Sequence, residues 1–154
     1  MTSVLSRQYC TFWVGGLYLG ISVGDVQEVL RHQGLIEVPR SSDSVRGLIN
    51  LRGQIVVAID LRTRLGVTEH DDSTLPAMNV VVRSRGELVG FLVDEVDDVI
   101  DTADAVLELA PTTLPSTLRD VTLGVVALPD SLLFVLDPDR AADIPPVRSP
   151  GGMP

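Results

Sequence analysis

Two stretches of this chain recur later in it, and that self-similarity constrains the fold more firmly than local propensity does. Residues 16–30, carrying Gly16, Gly20, Val23, Val26 and Val29, fall on residues 86–100, carrying Gly86, Gly90, Val93, Val96 and Val99, at an offset of 70 (86 − 16). Residues 47–60, from Gly47 to Asp60, fall on residues 124–137, from Gly124 to Asp137, at an offset of 77 (124 − 47). The seven extra residues (77 − 70) belong to the connector 103–118, which holds Pro111 and Pro115 and shows no clear period. Valine-rich strands resemble one another by chance, but glycines and aspartates that keep register through two long blocks favour duplication.

Each copy spans roughly 60 residues, too few for a generous core, so two copies gain by packing on each other. Within each copy the apolar residues form short runs broken by turn signals. Residues 8–14 are β-branched and aromatic and end at Gly15-Gly16; Leu17, Leu19, Ile21 and Val23 alternate with Tyr18, Gly20 and Ser22. Residues 26–30 fit either a helical turn or a bent strand, and residues 35–38 are a brief extended piece ended by Pro39. Residues 47–51 and 55–59 read as a hairpin around Arg52-Gly53, residues 78–83 and 88–93 as another around Arg85-Gly86, and residues 121–128 and 132–136 as a third around Pro129-Asp130. About five strands per copy suit a small barrel. The prediction is an all-β fold of two pseudo-repeated five-stranded SH3-like barrels packed on each other, with short helical turns. It occupies residues 8–143, with repeats at about 16–66 and 86–142. Residues 1–6 are expected to fray, residues 66–77 to form a solvated loop, and residues 144–154, rich in proline and glycine, to be disordered.

Charge and chemistry narrow the function. The net charge of −9 repels a phosphate backbone and an anionic membrane surface, so nucleic acid is excluded as a partner. No apolar run approaches the ~18 to 20 residues that cross a bilayer, and no basic segment precedes an apolar one at the start, so a cytoplasmic protein without membrane insertion is expected. Cys10 is the only cysteine, which fits a reducing compartment. His32 and His70 stand apart as ordinary surface histidines, and the acidic run from Asp94 to Asp101 is interrupted by valines and lacks calcium-loop spacing, so no metal or cofactor is predicted. The chain has no lysine, which removes Schiff-base chemistry and the phosphate-loop lysine, and no nucleophile-elbow or dinucleotide motif is present. A non-enzyme is expected. The basic residues are all arginine, and Arg46, Arg52, Arg62 and Arg64 cluster in sequence, a patch that suits carboxylates on a protein partner.

The repeat also separates scaffold from the rest. Glycines, valines and the terminal aspartate recur, whereas Asn50, Arg52 and Gly53 become Ala127, Pro129 and Asp130. A polar turn between buried strands either caps itself or is presented to a partner; since the second copy builds its strands without these residues, presentation is favoured. Glu28, at the edge of an apolar side, has the bland reading of a solvated carboxylate. A surface pair with Arg52 would contribute only about 0–1 kcal/mol, so charge shown to a partner is the better reason for it.

Residues 45–62, with Gly47, Asn50, Leu51, Arg52, Gly53, Asp60, Leu61 and Arg62, resemble the Gly-x-x-Asn-Leu-Arg-Gly motif and following Asp-Leu-Arg of the CheW-like chemotaxis adaptor family. Residues 18–29 and 89–96 support the likeness, which extends over residues 8 to about 141; Val57 stands where the family usually has proline. The resemblance implies a scaffold, located at receptor arrays on the inner face of the membrane, that couples chemoreceptor cytoplasmic tips to the histidine kinase CheA and meets homologous CheW-like domains barrel to barrel. It also implies kinase and receptor interaction through Glu28, Asn50, Arg52 and Gly53, and a receptor groove lined by Val26, Val96 and Val99. Gly47 and Gly90 are assigned to structural turns. The alternative is a small-molecule-binding sensor or hydrolase that uses the groove between the barrels as its pocket.

Overall fold

The computed structural model describes residues 8–31, 34–37, 43–67, 78–102 and 105–144. The start that is expected to fray, most of the loop expected at 66–77, both histidines and residues 145–154 fall outside the described residues. Three hairpins are joined by two-residue turns. Strands β1 (Gln8–Val14) and β2 (Leu17–Ser22) meet at Gly15-Gly16, β4 (Val45–Leu51) and β5 (Gln54–Asp60) at Arg52-Gly53, and β6 (Met78–Ser84) and β7 (Glu87–Val93) at Arg85-Gly86. Both residues of every one of these turns have positive φ, from 51° at Arg52 and Arg85 to 88° at Gly16, the geometry whose twist matches that of the flanking strands. A 3-10 turn, Val23–Asp25, leads into β3 (Val26–Arg31), so the stretch that fitted either a turn or a bent strand is a strand. The acidic segment is likewise a strand, β8 (Glu95–Asp101). The connector holds the two-residue β9 (Leu107–Glu108) and helix α2 (Ser116–Arg119). Strands β10 (Thr122–Ala127) and β11 (Leu132–Leu136) form the last hairpin.

Asp60 and Asp137 occupy equivalent places and do the same work. Each ends a strand and caps the following helix, α1 (Leu61–Arg64) or α3 (Pro138–Ala142), by accepting a backbone N–H with its carboxylate. Each also donates its own N–H to a carbonyl one strand away, Ser44 or Val121.

The strands build two sheets, ordered β8-β1-β2-β11-β10-β9 and β3-β6-β7-β5-β4. Neither sheet belongs to one copy of the repeat. In the first, Leu19 of β2 runs parallel to Phe134 of β11; in the second, Val89 of β7 runs parallel to Val57 of β5. These pairings are related by the offsets of the sequence repeat, 70 (89 − 19) and 77 (134 − 57). The copies are therefore interleaved, each lending its first hairpin to the sheet completed by the other. Even the short edges correspond: Leu48 bridges Ile36 where Val125 pairs with Glu108.

Both sheets curl. Leu30 on edge strand β3 packs with Ile49 and Leu51 of the opposite edge β4 around Val56, Val81 and Leu92. Ile100 on β8 and Leu107 on β9, at opposite edges of the other sheet, pack around Tyr9, Leu133 and Val135. Rolled in this way, the sheets are the two SH3-like barrels expected. The largest core lies between them, where Phe12, Leu19 and Ile21 of one barrel meet Val80, Val82 and Phe91 of the other. Strand β7 is buried on both faces, which is why its sequence is continuously apolar rather than alternating.

Gly47 and Gly90 sit inside strands β4 and β7, not in turns. A Cβ at Gly47 would lie 2.5 Å from the Ile36 carbonyl oxygen, as one at Gly124 would lie 2.7 Å from that of Glu108, so this pair of repeated glycines admits the edge segment beside each hairpin. At Gly90 a Cβ would stand 2.3 Å from Asn79 Oδ1, inside the barrel.

Candidate functional site

The polar turn divides its labour. Asn50 Oδ1 accepts the Gly53 N–H at 2.9 Å, so Asn50 closes its own turn and, with Gly53, sets the backbone. Arg52 has φ 51°, a left-handed conformation uncommon outside glycine, and that geometry throws its side chain outward, 68% exposed. Its guanidinium donates to the carboxylate of Glu28, whose side chain is 26% exposed. Glu28 comes from β3, at the opposite edge of the flat strand order, and barrel closure brings the two together. The structure thus joins Glu28 and Arg52, which are separated by 24 positions, and gives Asn50 and Gly53 the task of shaping the turn that holds the arginine.

The four clustered arginines do not form one patch. Arg62, only 11% exposed, directs Nε at Asp94 Oδ1, 2.7 Å away, and Asp94 Oδ2 accepts the Gly15 N–H at 2.7 Å. This chain of bonds runs from α1 through the β7–β8 junction to the β1–β2 turn. Arg64 donates to the carbonyls of Ala141, Arg140 and Asp143 at 3.0–3.3 Å, capping the C-terminal end of α3, where positive charge is favoured. Arg46 leans on Asp60 at 3.5 Å. Sequence proximity suggested a shared surface; short strands and a helical turn point successive arginines at different neighbours. The Arg62–Asp94 link had one sequence signal that went unread, since Asp94 matches Gly24 in the other copy and so marks a side chain that the repeat does not need.

Val26 and Val96 are equivalent in the repeat and lie half-buried against the core between the barrels, paired with Val82 and Phe12. Val99 pairs with Cys10 and is 56% exposed. A bulge in β8, held by the Thr11 hydroxyl donating to the Asp98 carbonyl, brings Val96 and Val99 onto one face and sends Ile100 to the other, opposite Tyr9. Burial pushes the Cys10 thiol above its usual range, which favours the protonated, unreactive form.

Asp25, in the 3-10 turn, has its carboxyl pushed up, first by burial and then by the nearby carboxylates of Asp139 and Asp137. The folded state therefore holds this proton more tightly than the unfolded chain does. Its contribution favours folding in acid, below the ordinary carboxylate range, and is lost as pH rises through the elevated folded value. Asp25→Asn is expected to raise Tm at pH 7, with the gain disappearing near about pH 4, measured by thermal denaturation of both forms at the two pH values.

The sequence pattern of the CheW-like domain family matches residues 8–144. Chemotaxis protein CheW of Bacillus subtilis is 32% identical over 133 residues, covering 86% of this chain and 84% of the relative. Probable chemotaxis protein CheW of Rhizobium etli is 27% identical over 131 residues, 85% and 84% of the two chains. In three dimensions the fold matches the crystal structure of the scaffolding protein TtCheW from Thermoanaerobacter tengcongensis, with a TM-score of 0.78 at 23% identity over 93% of this chain and 92% of that one. With that match running from the first described strand to the end of the last helix, the chain belongs to the CheW-like domain family.

Proposed function

We infer that the protein is a non-catalytic chemotaxis adaptor, coupling the cytoplasmic tips of chemoreceptors to the histidine kinase CheA at arrays on the inner face of the membrane. Family membership and the chemotaxis names of its relatives support the class. Among the described residues no helix is long and apolar enough to cross a membrane, so an array location rests on protein partners. The observation that carries the reading is the exposed Arg52, held on a turn that the other copy replaces and paired with a glutamate from another strand. The pair adds little to stability, and an arginine on a rigid turn suits a protein interface. Val26 and Val96, packed against the core between the barrels, and the exposed Val99 on the same face of β8 as Val96, suit an apolar helical receptor tip.

Arg52→Glu is expected to weaken binding to CheA, to a receptor fragment, or to both by at least about tenfold in a pull-down or titration, with Tm essentially unchanged. Adding Glu28→Arg restores the internal pair with its charges reversed. Binding that stays weak in the double variant assigns Arg52 to the partner. Wild-type affinity for both partners in the single variant would overturn the reading.

A further inference from the structure

The β4–β5 and β6–β7 turns stand side by side at one end of the second sheet. In the parallel pairing of β5 with β7, Val56 lies level with Leu88, and the same register carried back three residues sets Gly53 beside Arg85. Arg85 has φ 51°, as Arg52 does, in the left-handed region that glycine enters without strain, and the repeat puts Gly15, φ 54°, at the place of Arg85 (85 − 70). The turn itself gains nothing from an arginine there, and the Arg85 side chain is exposed. Arg83 is exposed as well and donates to Gln27 Oε1 at 3.4 Å, whereas the half-buried Trp13 takes its place in the other copy (83 − 70). With Arg52, three guanidinium groups gather at this end; the carboxylates beside them are Glu28, which Arg52 holds, and Glu87. An open groove of about 470 Å³ adjoins the turns, lined by Arg83 and Glu87 together with Ile55, Val57 and Leu88. Ile55 is 70% exposed. Its counterpart Leu132 (55 + 77) is exposed too, so an apolar contact point recurs in both barrels while the arginines occur in one.

We propose that this end of the barrel docks a carboxylate-bearing segment of a partner protein, with an apolar side chain of the segment on Ile55 in the groove and two flanking carboxylates on Arg83 and Arg85. The proposal deepens the adaptor reading and rests on it for treating the Arg52 turn as a partner contact; Arg83, Arg85 and Ile55 are new to that surface. The class of partner follows from charge and shape. Guanidinium forks match carboxylates with two parallel hydrogen bonds, and arginines on a rigid hairpin end lose little freedom on being engaged. Exposed charge pairs alone hold a complex weakly, and the isoleucine beside them supplies the apolar contact that they lack. Phosphates also suit arginine at short range, but a nucleic acid is repelled from afar by a chain of net charge −9.

The test titrates the full chain, labelled for NMR, with the capped peptide Asp-Glu-Leu-Glu-Asp, with its counterparts Lys-Lys-Leu-Lys-Lys and Asp-Glu-Ser-Glu-Asp, and with an oligothymidylate of about ten nucleotides. Saturable shifts centred on Ile55, Arg83, Gly86 and Leu88 for the acidic leucine peptide, with a Kd of about 1 mM or tighter, no saturation by the lysine peptide and severalfold weaker binding of the serine peptide, support the proposal. Raising salt from about 50 to about 500 mM is expected to weaken the acidic peptide severalfold. The double variant Arg83→Gln/Arg85→Gln, which changes two exposed side chains, is expected to weaken it by at least about tenfold with Tm unchanged, and Ile55→Ser to weaken it severalfold. No saturable shift at about 10 mM acidic peptide, equal binding of the lysine peptide, tighter binding of the oligothymidylate, or unchanged affinity in the double variant would overturn it. Self-association of the unliganded chain that the double variant abolishes would overturn it too, assigning the face to a second copy. The adaptor reading is scored separately: loss of CheA or receptor binding in Arg52→Glu without any peptide binding sinks this proposal alone, and peptide binding with wild-type partner affinity in Arg52→Glu keeps the acidic docking face and sinks the adaptor role of Arg52.

Discussion

Expressed as separate chains, residues 8–67 and 78–144 are each expected to stay unfolded, and to recover the native sheet signal only when mixed. The reason is the interleaving. Without the second half, β2 loses its parallel neighbour β11 and β5 loses β7, so both sheets are cut through their middles rather than at their edges. The core between the barrels loses one wall as well, since Phe12, Leu19 and Ile21 come from the first half and Val80, Val82 and Phe91 from the second. A fragment of roughly 60 residues that exposes such a wall has neither the buried area nor the paired edges to offset its conformational entropy. Circular dichroism of each half alone, then of the mixture at increasing concentration, checks this. A cooperative thermal transition in either isolated half would show that one copy is a folding unit by itself.

Arg62→Ala is expected to destabilise the protein by about 3 kcal/mol, a drop in Tm of roughly 10 °C, against a total stability of about 5–15 kcal/mol. The substitution strips Asp94, whose side chain is 22% exposed in the intact pair, of its cation while leaving it bonded to the Gly15 N–H. A nearly buried charge without its partner costs more than the pair itself contributes, and this carboxylate joins the hairpin turn of one barrel to the helix of the other. Arg52→Ala, on an exposed pair, is the internal comparison and should cost less than about 1 kcal/mol. Chemical denaturation of the two variants distinguishes them, and similar losses for both would show that the Arg62–Asp94 bond does not hold the barrels together.

Much of the barrel architecture was legible because strand pairing through two-residue turns is a local matter. Gly15-Gly16, Arg52-Gly53 and Arg85-Gly86 mark their hairpins in sequence, and the repeated aspartates Asp60 and Asp137 mark the strand ends. The exchange of hairpins between copies was not legible. Apolar patterning tells which residues of β5 are buried but not whether β2 or β7 lies beside it, since the two candidates are copies of one another. The bulge in β8 was also hidden, because it depends on Thr11, 87 positions away, reaching the Asp98 carbonyl. At the candidate site, capping and presentation are posed as alternatives for the turn as a whole, but its residues part company: Asn50 caps the turn, while the Arg52 side chain is exposed and paired with Glu28. The arginine cluster misled because spacing along a chain says nothing about direction once a helix begins at Leu61.

Interleaved copies are what remains when an intertwined homodimer has its two chains fused into one. A homodimer must offer every surface twice, related by its two-fold axis, and so pairs most readily with symmetric partners or with itself. Fusion lifts that constraint. Arg52 can appear at one end while Pro129 stands at the equivalent place on the other, at no cost to the shared core. The molecule thereby acquires a head and a tail, and polarity of that kind is what a linker between two unlike proteins requires.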